Sequence, residues 1–258
     1  MRTFSEFCDG DRIEVDIPFG FYFKEGEVDK GLVIEDKDEN QYVRIPSGYT
    51  TDGVYVRGFW VSGYEISIDE EGNACSVAGC YPVIKINYYD AMQLAKSRNG
   101  ELLTREEYNR ICMWLVQTKA ATFENVFVAG NGMGNYSKPF TMAKTGSNPA
   151  WMFNHIDNFF GNCYIWTTER SEINRHFRII RGGAGTISET GNHYPASCRA
   201  WAKPESKSNN VTIRIALHDA IEDDEEDWVY KAINKQFVIK LIYCLFYYIG
   251  KIVRFLRI

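Results

Sequence analysis

Arg181-Gly182-Gly183 closes the short run Phe177-Arg-Ile-Ile-Arg181, and the reading of this stretch decides the fold. This run reads as a strand. Behind the glycines, residues 184–210 are polar, with Gly, Asn, Ser and Thr frequent and apolar runs short. Two further strand candidates flank the stretch, Cys163–Thr167 and Val211–Leu217. All three lie in a loop-rich region from Ala120 to Leu217. Irregular regions of this length inside a compact domain usually exist for function.

The pattern upstream is more regular. Gly31–Glu35 and Gln41–Pro46 read as strands separated by a polar turn, Asp36–Asn40, and Val54–Val61 and Tyr64–Ser67 continue in that style. Residues 1–30 read as an attachment segment or an extra hairpin. Asn87 can cap a helix, with Asp90 three residues on, and Tyr88, Ala91, Met92 and Ala95 recur at helical spacing. Thr104-Arg-Glu-Glu107 is a capping box, followed by the apolar stripe Tyr108, Ile111, Cys112, Leu115. Both stripes read as core. No internal repeat is visible.

Composition narrows the function classes. The 258 residues are 45% apolar and 24% charged, ordinary for one large soluble domain with appendages. A net charge of −5 argues against nucleic acid as a partner. Aromatic residues reach 15%, which fits either a β-rich core or a binding surface. The seven cysteines are odd in number and irregularly spaced, which reads as a reducing compartment and not a disulfide framework. Met1–Arg12 does not read as a signal peptide, so synthesis in the cytoplasm is expected, and the sequons at Asn135 and Asn210 carry little weight.

The last forty residues change character. Asp219–Asp227 has seven acids in nine positions, and 219–234 reads as an acidic linker. Residues 235–258 hold five bases and no acid. Gln236, Lys240, Tyr243, Tyr247, Lys251 and Arg254 would share one face of a basic amphipathic helix of about six turns. Such a helix fits a membrane surface, a protein partner or the domain itself. Lys240 and Lys251 weaken the reading as a membrane-spanning anchor.

Catalytic constellations are missing from the pattern. The four histidines, His155, His176, His193 and His218, form no pair at metal-ligand spacing, and neither Gly-x-Ser-x-Gly nor His-Glu-x-x-His occurs. Gly130-Asn-Gly-Met-Gly134 precedes no helix pattern and reads as a solvent loop. Cys75 and Cys80 form the one close thiol pair, too few ligands for a metal site by themselves.

Several landmarks then stand in a fixed order. They are Tyr42-Val-Arg-Ile-Pro-Ser-Gly48, Phe59-Trp-Val-Ser-Gly-Tyr-Glu-Ile-Ser67, Pro82-Val-Ile-Lys-Ile-Asn-Tyr-Tyr-Asp-Ala91 and Leu102-Leu-Thr-Arg-Glu-Glu-Tyr108. Asn154-His-Ile-Asp157, Gly161-Asn-Cys-Tyr-Ile-Trp-Thr167, Arg181-Gly-Gly183 and Val211-Thr-Ile-Arg214 complete the series. Together they resemble the formylglycine-generating enzyme, or sulfatase-modifying factor, family from about Gln41 to Leu217. The resemblance implies an α+β, C-type-lectin-like domain over 31–218, with two main helices packed on small antiparallel sheets. The same fold occurs in variable proteins of diversity-generating retroelements and in phage-encoded relatives.

Departures from the family pattern decide what the resemblance implies about activity. Its enzymes hold copper with two cysteines shortly after Arg-Gly-Gly, and the matching places here are Ile187 and Asn192. Neither side chain can be a thiolate ligand. Cys198 stands alone further on. The family's Trp-Glu-Trp is Tyr164-Ile165-Trp166, so Ile165 replaces a carboxylate suited to calcium, although Asn162 remains. The family's second enzyme type, which forms sulfoxides with iron, needs an extra helical domain, for which this chain leaves no room. The expectation is a protein without a cofactor and without catalysis. It would bind a protein or glycan on a host or partner surface through Thr186, Ser188, Glu189, Asn192, His193, Tyr194 and Trp201. Small polar residues mixed with Tyr and Trp resemble a paratope. A divergent metal-dependent oxidase using Cys198, or Cys75 and Cys80, is one alternative. A structural virion or membrane-associated component, fixed by its tail, is the other.

Overall fold

The computed structural model describes residues 3–8, 11–27, 30–130, 133–136, 141–183 and 193–219. The chain divides into two units, 1–219 and 220–258. The expected acidic linker, except Asp219, and the expected amphipathic helix over 235–258 lie outside the described residues. Among the described residues no helix is long and apolar enough to cross a membrane.

The first two strands, β1 (Thr3–Cys8) and β2 (Asp11–Asp16), pair as an antiparallel hairpin. Strands β3 (Phe21–Glu27), β4 (Gly31–Asp36) and β5 (Gln41–Ile45) follow as a meander. The turn between β4 and β5 is built by Asp36, whose Oδ1 accepts the amides of Asp38 and Asn40 at 2.9 Å each. This is the local bond that makes Asp a turn residue. Val54–Val61 divides into two strands. The first belongs to the small pair β6 (Gly48–Tyr49) and β7 (Tyr55–Val56), and β8 (Phe59–Ser62) enters the main sheet. A two-residue pair, β9 (Ser67–Ile68) and β10 (Ala74–Cys75), precedes the helices.

Both helices begin where their caps predict. Helix α1 (Tyr88–Lys96) starts at Asn87, whose side chain accepts the Asp90 amide at 2.9 Å. After β11 (Glu101–Leu102), helix α2 (Arg105–Gln117) opens with the full capping box. Glu107 N donates to Thr104 Oγ1 at 3.1 Å, and Thr104 N donates to Glu107 Oε2 at 2.8 Å. A third helix, α3 (Phe123–Phe127), was not legible, because five residues are too short for an apolar stripe to repeat.

The remaining strands are β12 (Met152–Phe153), β13 (Ile156–Asp157), β14 (Tyr164–Arg170), β15 (Arg178–Arg181), β16 (Arg199–Ala202), β17 (Val211–Thr212) and β18 (Ile215–Leu217). The main sheet is antiparallel with order β11-β18-β8-β5-β4-β3. Strand β3 lies before residue 31 and forms its edge. A second sheet, β16-β15-β14-β17, is antiparallel except that β17 runs parallel to β14.

Strand alternation splits the interior into two cores, because successive side chains point to opposite faces. Val43, Ile45, Phe59 and Val61 meet Ile111, Trp114 and Leu115 of α2. Tyr42 and Trp60, which alternate with them, meet Ala91 and Ala95 of α1 and Trp166 of β14. The main sheet is therefore covered by a helix on each face.

Four of the sequence landmarks converge on one buried polar knot. Glu65, Asp157, Asn162 and Arg214 are all fully buried. Asn162 Nδ2 donates to Glu65, and Asn162 Oδ1 accepts Asn135 Nδ2 at 3.0 Å and the Ala143 amide at 2.9 Å. Arg214 donates to the carbonyls of Ser62 at 3.0 Å, Gly63 at 3.3 Å and Asp157. Asp157 Oδ2 accepts the Gly146 amide at 2.9 Å and Asn158 Nδ2 at 3.0 Å. Buried polar groups must satisfy each other, which ties segments far apart in sequence to one place. Burial pushes the Glu65 carboxyl up to about 8, against the pull of Arg214.

Candidate functional site

The Arg-Gly-Gly stretch is built for position. Arg181 is almost fully buried at the end of β15 and reaches Glu169 on β14 through Nε at 3.0 Å and Nη2 at 2.9 Å. Its Nη1 donates to the Ser197 carbonyl at 3.3 Å, and its guanidinium lies 5.6 Å from the Tyr108 ring centre. Gly182 follows with φ +83°, a left-handed conformation that costs a residue with Cβ about 1–2 kcal/mol. At Gly183, a Cβ would stand 2.8 Å from both Cβ and the carbonyl oxygen of Tyr194. The two glycines thus let the chain leave β15 and lie against the returning segment.

Of the seven expected contact residues, three are described. Thr186, Ser188, Glu189 and Asn192 lie outside the described residues, as does Ile187. His193 is half-buried and stacks on Tyr136, with ring centres 4.1 Å apart and planes 10° apart. The half-buried Tyr194 is held through its carbonyl, which accepts Tyr136 Oη at 2.7 Å, while the His193 carbonyl accepts the Gly130 amide at 3.1 Å. These two residues therefore belong to a contact set with Gly130 and Tyr136. Trp201 belongs to another. It sits on β16, opposite Ile179 of β15, with 59% of its surface exposed. Its ring rests on Phe177, centre to centre 4.9 Å.

Trp201 lines an open concavity of about 450 Å³ together with Tyr164, Phe177, Ser206, Ser208 and Asn210. Phe177 and Lys203 are shared with a second concavity of about 360 Å³, lined also by Tyr89, Arg170, Arg175, Arg178 and Glu205. The rim is fixed by backbone bonds: Tyr88 N donates to Pro204 O at 2.9 Å and Lys85 N to Ser208 O at 2.8 Å. The turn carrying Arg175 is closed by Ser171 N to Phe177 O at 3.1 Å and by Asn174, whose Oδ1 accepts the His176 amide at 3.0 Å. The expected contact face had omitted this basic group. The run Arg175-His-Phe-Arg178 was its visible signal.

Cys75, Cys112 and Cys198 are held toward the neutral thiol. Burial pushes Cys198 up, with Arg181 pulling the other way, and burial pushes Cys112 up to about 12. Burial also raises Cys75, with Cys80 nearby. Among the described residues no group of three or more His, Cys, Asp or Glu forms a metal-ligand set. Ile165, at the calcium-related position, is packed in the core of α2.

Residues 15–219 match the Sulfatase-modifying factor enzyme 1-like domain. No curated protein matches the sequence. Among solved structures, CarF is similar with a TM-score of 0.51 and 12% identity, over 70% of this chain and 99% of CarF. PvdO from Pseudomonas aeruginosa has a TM-score of 0.49 and 16% identity, over 72% and 98% of the two chains. Treponema denticola variable protein 1 has a TM-score of 0.48 and 11% identity, over 69% and 96%. The two cores, the ordered landmarks and the domain match agree on a C-type-lectin-like fold. The chain belongs to the sulfatase-modifying factor enzyme 1-like family.

Proposed function

We propose that this chain is a non-catalytic binding protein that meets a protein or glycan on a partner surface through residues of 184–210. The observation that carries the reading is Trp201, a large aromatic ring exposed on a hydrogen-bonded strand and backed by Phe177. A rigid aromatic side chain presents contact area at small entropic cost, so it suits a binding face better than a loop residue would. His193 and Tyr194 are likewise fixed before any partner arrives, through Tyr136.

Ile187 and Asn192 stand where the family's copper enzymes have cysteines. The raised Cys198 thiol is a poor substitute, because a metal ligand or nucleophile needs the thiolate. Asn162 spends its side-chain oxygen on Asn135 and Ala143, and Ile165 has no side-chain oxygen in place of the family's carboxylate. These residues do not fit a calcium ion at this place. The chain works without a cofactor on this reading.

The test uses the full chain, labelled and applied to arrays of glycans and of purified cell-surface proteins, beside Trp201→Ala and Tyr194→Ala. A ligand retained by the parent and lost by Trp201→Ala supports the reading. Unchanged capture by both variants removes this face. Stoichiometric copper in the purified protein, with oxygen consumption on thiol peptides, would overturn the non-catalytic reading.

A further inference from the structure

We infer that the ligand is an acidic polysaccharide, one bearing carboxylate or sulfate groups, held across the two joined concavities beside Trp201. The inference rests on the binding reading above and adds the chemistry of the ligand. Four cations, Arg170, Arg175, Arg178 and Lys203, surround one concavity. Among the described residues, Glu205 is the single acid in its lining. The chain as a whole carries −5, so this is a local reversal of sign.

Three of the four cations are uncommitted. Arg178 donates to the Thr168 carbonyl at 3.2 Å and lies 4.4 Å over the Tyr88 ring, which fixes its position. Among the described residues, Arg170, Arg175 and Lys203 have no ion-pair partner, and all three are exposed. Nearby arginines are used differently: Arg181 and Arg199 both engage Glu169. Cations that outnumber the acids beside them repel one another, and an anionic ligand relieves that cost. Guanidinium groups also bind carboxylate and sulfate oxygens with two parallel hydrogen bonds.

The neighbouring concavity selects a sugar over a bare anion. The exposed Trp201 ring, supported by Phe177, offers a flat apolar face for a pyranose ring. Ser206, Ser208 and Asn210 line the same concavity and match sugar hydroxyls as hydrogen-bond donors and acceptors. Phe177 and Lys203 line both concavities, so one chain of sugars can reach stacking and charge together. A neutral glycan would leave the cations unused, and a simple polyanion would leave the aromatic shelf unused.

The test measures binding of the full chain to polygalacturonate, dextran sulfate, neutral dextran and inorganic polyphosphate by interferometry. The variants are Trp201→Ala, Lys203→Ala and the double change Arg170→Glu with Arg175→Glu, each checked for an unchanged melting curve. All the altered side chains are exposed, so the fold is retained. The expected result is binding to an acidic polysaccharide, none to neutral dextran, and a loss of about tenfold or more in both the double variant and Trp201→Ala. Binding should also weaken with salt. Equal affinity for neutral dextran, or affinity indifferent to the arginine changes, overturns the assignment. So does polyphosphate binding as tight as the glycan and untouched by Trp201→Ala, which marks unselective attraction. Failure on all four probes, while Trp201-dependent capture of a protein persists, overturns the acidic glycan and leaves the binding reading standing.

Discussion

Arg181 holds Glu169 with two nitrogens, Nε at 3.0 Å and Nη2 at 2.9 Å from one carboxylate oxygen, both side chains nearly dry. The arginine of the Arg-Gly-Gly stretch therefore works inside the protein, joining β15 to β14. Removing one partner of a buried pair costs about 3–5 kcal/mol where the other charge is stranded; Arg199 also engages Glu169, which puts the cost here at the low end, about 3 kcal/mol. Arg181→Met should lower stability by that amount in urea unfolding followed by tryptophan fluorescence. Arg181→Lys should also lose stability, because an ammonium cannot reproduce the fork that engages Glu169 and Ser197. A wild-type unfolding midpoint in either variant would contradict this role.

Gly183→Ala should disturb the segment around Tyr194. The new methyl would stand 2.8 Å from the Tyr194 carbonyl and Cβ, and backbone cannot give way as a flexible side chain can. The expected result is faster amide exchange across 193–196 by mass spectrometry, with α2 unchanged. Equal exchange in the two proteins would mean that the segment relaxes freely.

Tyr136→Phe tests the same segment from the other side. It removes the hydrogen bond to the Tyr194 carbonyl but keeps a ring stacked on His193. A carbonyl left without its donor costs about 1–3 kcal/mol when buried, and the half-buried place of Tyr194 puts this one at the low end, about 1 kcal/mol. Thermal unfolding should register the loss, and Tyr136→Ala should cost more, since the stack is then lost as well.

Stability should fall as pH rises. Burial raises Glu65 to about 8 in the fold, above its unfolded value. Its stabilising contribution is complete below the unfolded value and is lost as pH climbs through about 8. His218 acts in the same direction. Its hydrogen bond to Glu107 raises its folded value above 6.5, so the contribution of the protonated pair fades as pH passes that raised value. Urea midpoints measured from pH about 5 to about 9 should decline, and Glu65→Gln should flatten most of the slope. A parallel slope in Glu65→Gln would assign the pH dependence elsewhere.

Much of this architecture was readable from local chemistry. Thr104 and Glu107, and Asn87 with Asp90, sit within three residues of each other, so their caps depend on backbone that is adjacent in any conformation. Asp36 fixed its turn in the same way. The strand runs around Arg181 were equally local, and so were the replacements at Ile187, Asn192 and Ile165. The order of the landmarks carried the family, but the buried knot in which four of them meet, Glu65, Asp157, Asn162 and Arg214, needs the folded chain to be seen.

Only the tertiary structure decided what Trp201 stands beside. The sequence placed it with His193 and Tyr194 by proximity along the chain. The fold instead seats it on Phe177, 24 residues earlier, and next to cations from β14, the following turn and segment 203–205. Tyr89 of α1 joins the same rim because the Tyr88 amide bonds to Pro204. Periodicity and capping act over a few residues, whereas a binding face is assembled by sheet register and burial, which depend on the whole chain. Local chemistry determined the elements and the family; packing alone determined the charge and the aromatic shelf that meet at the surface.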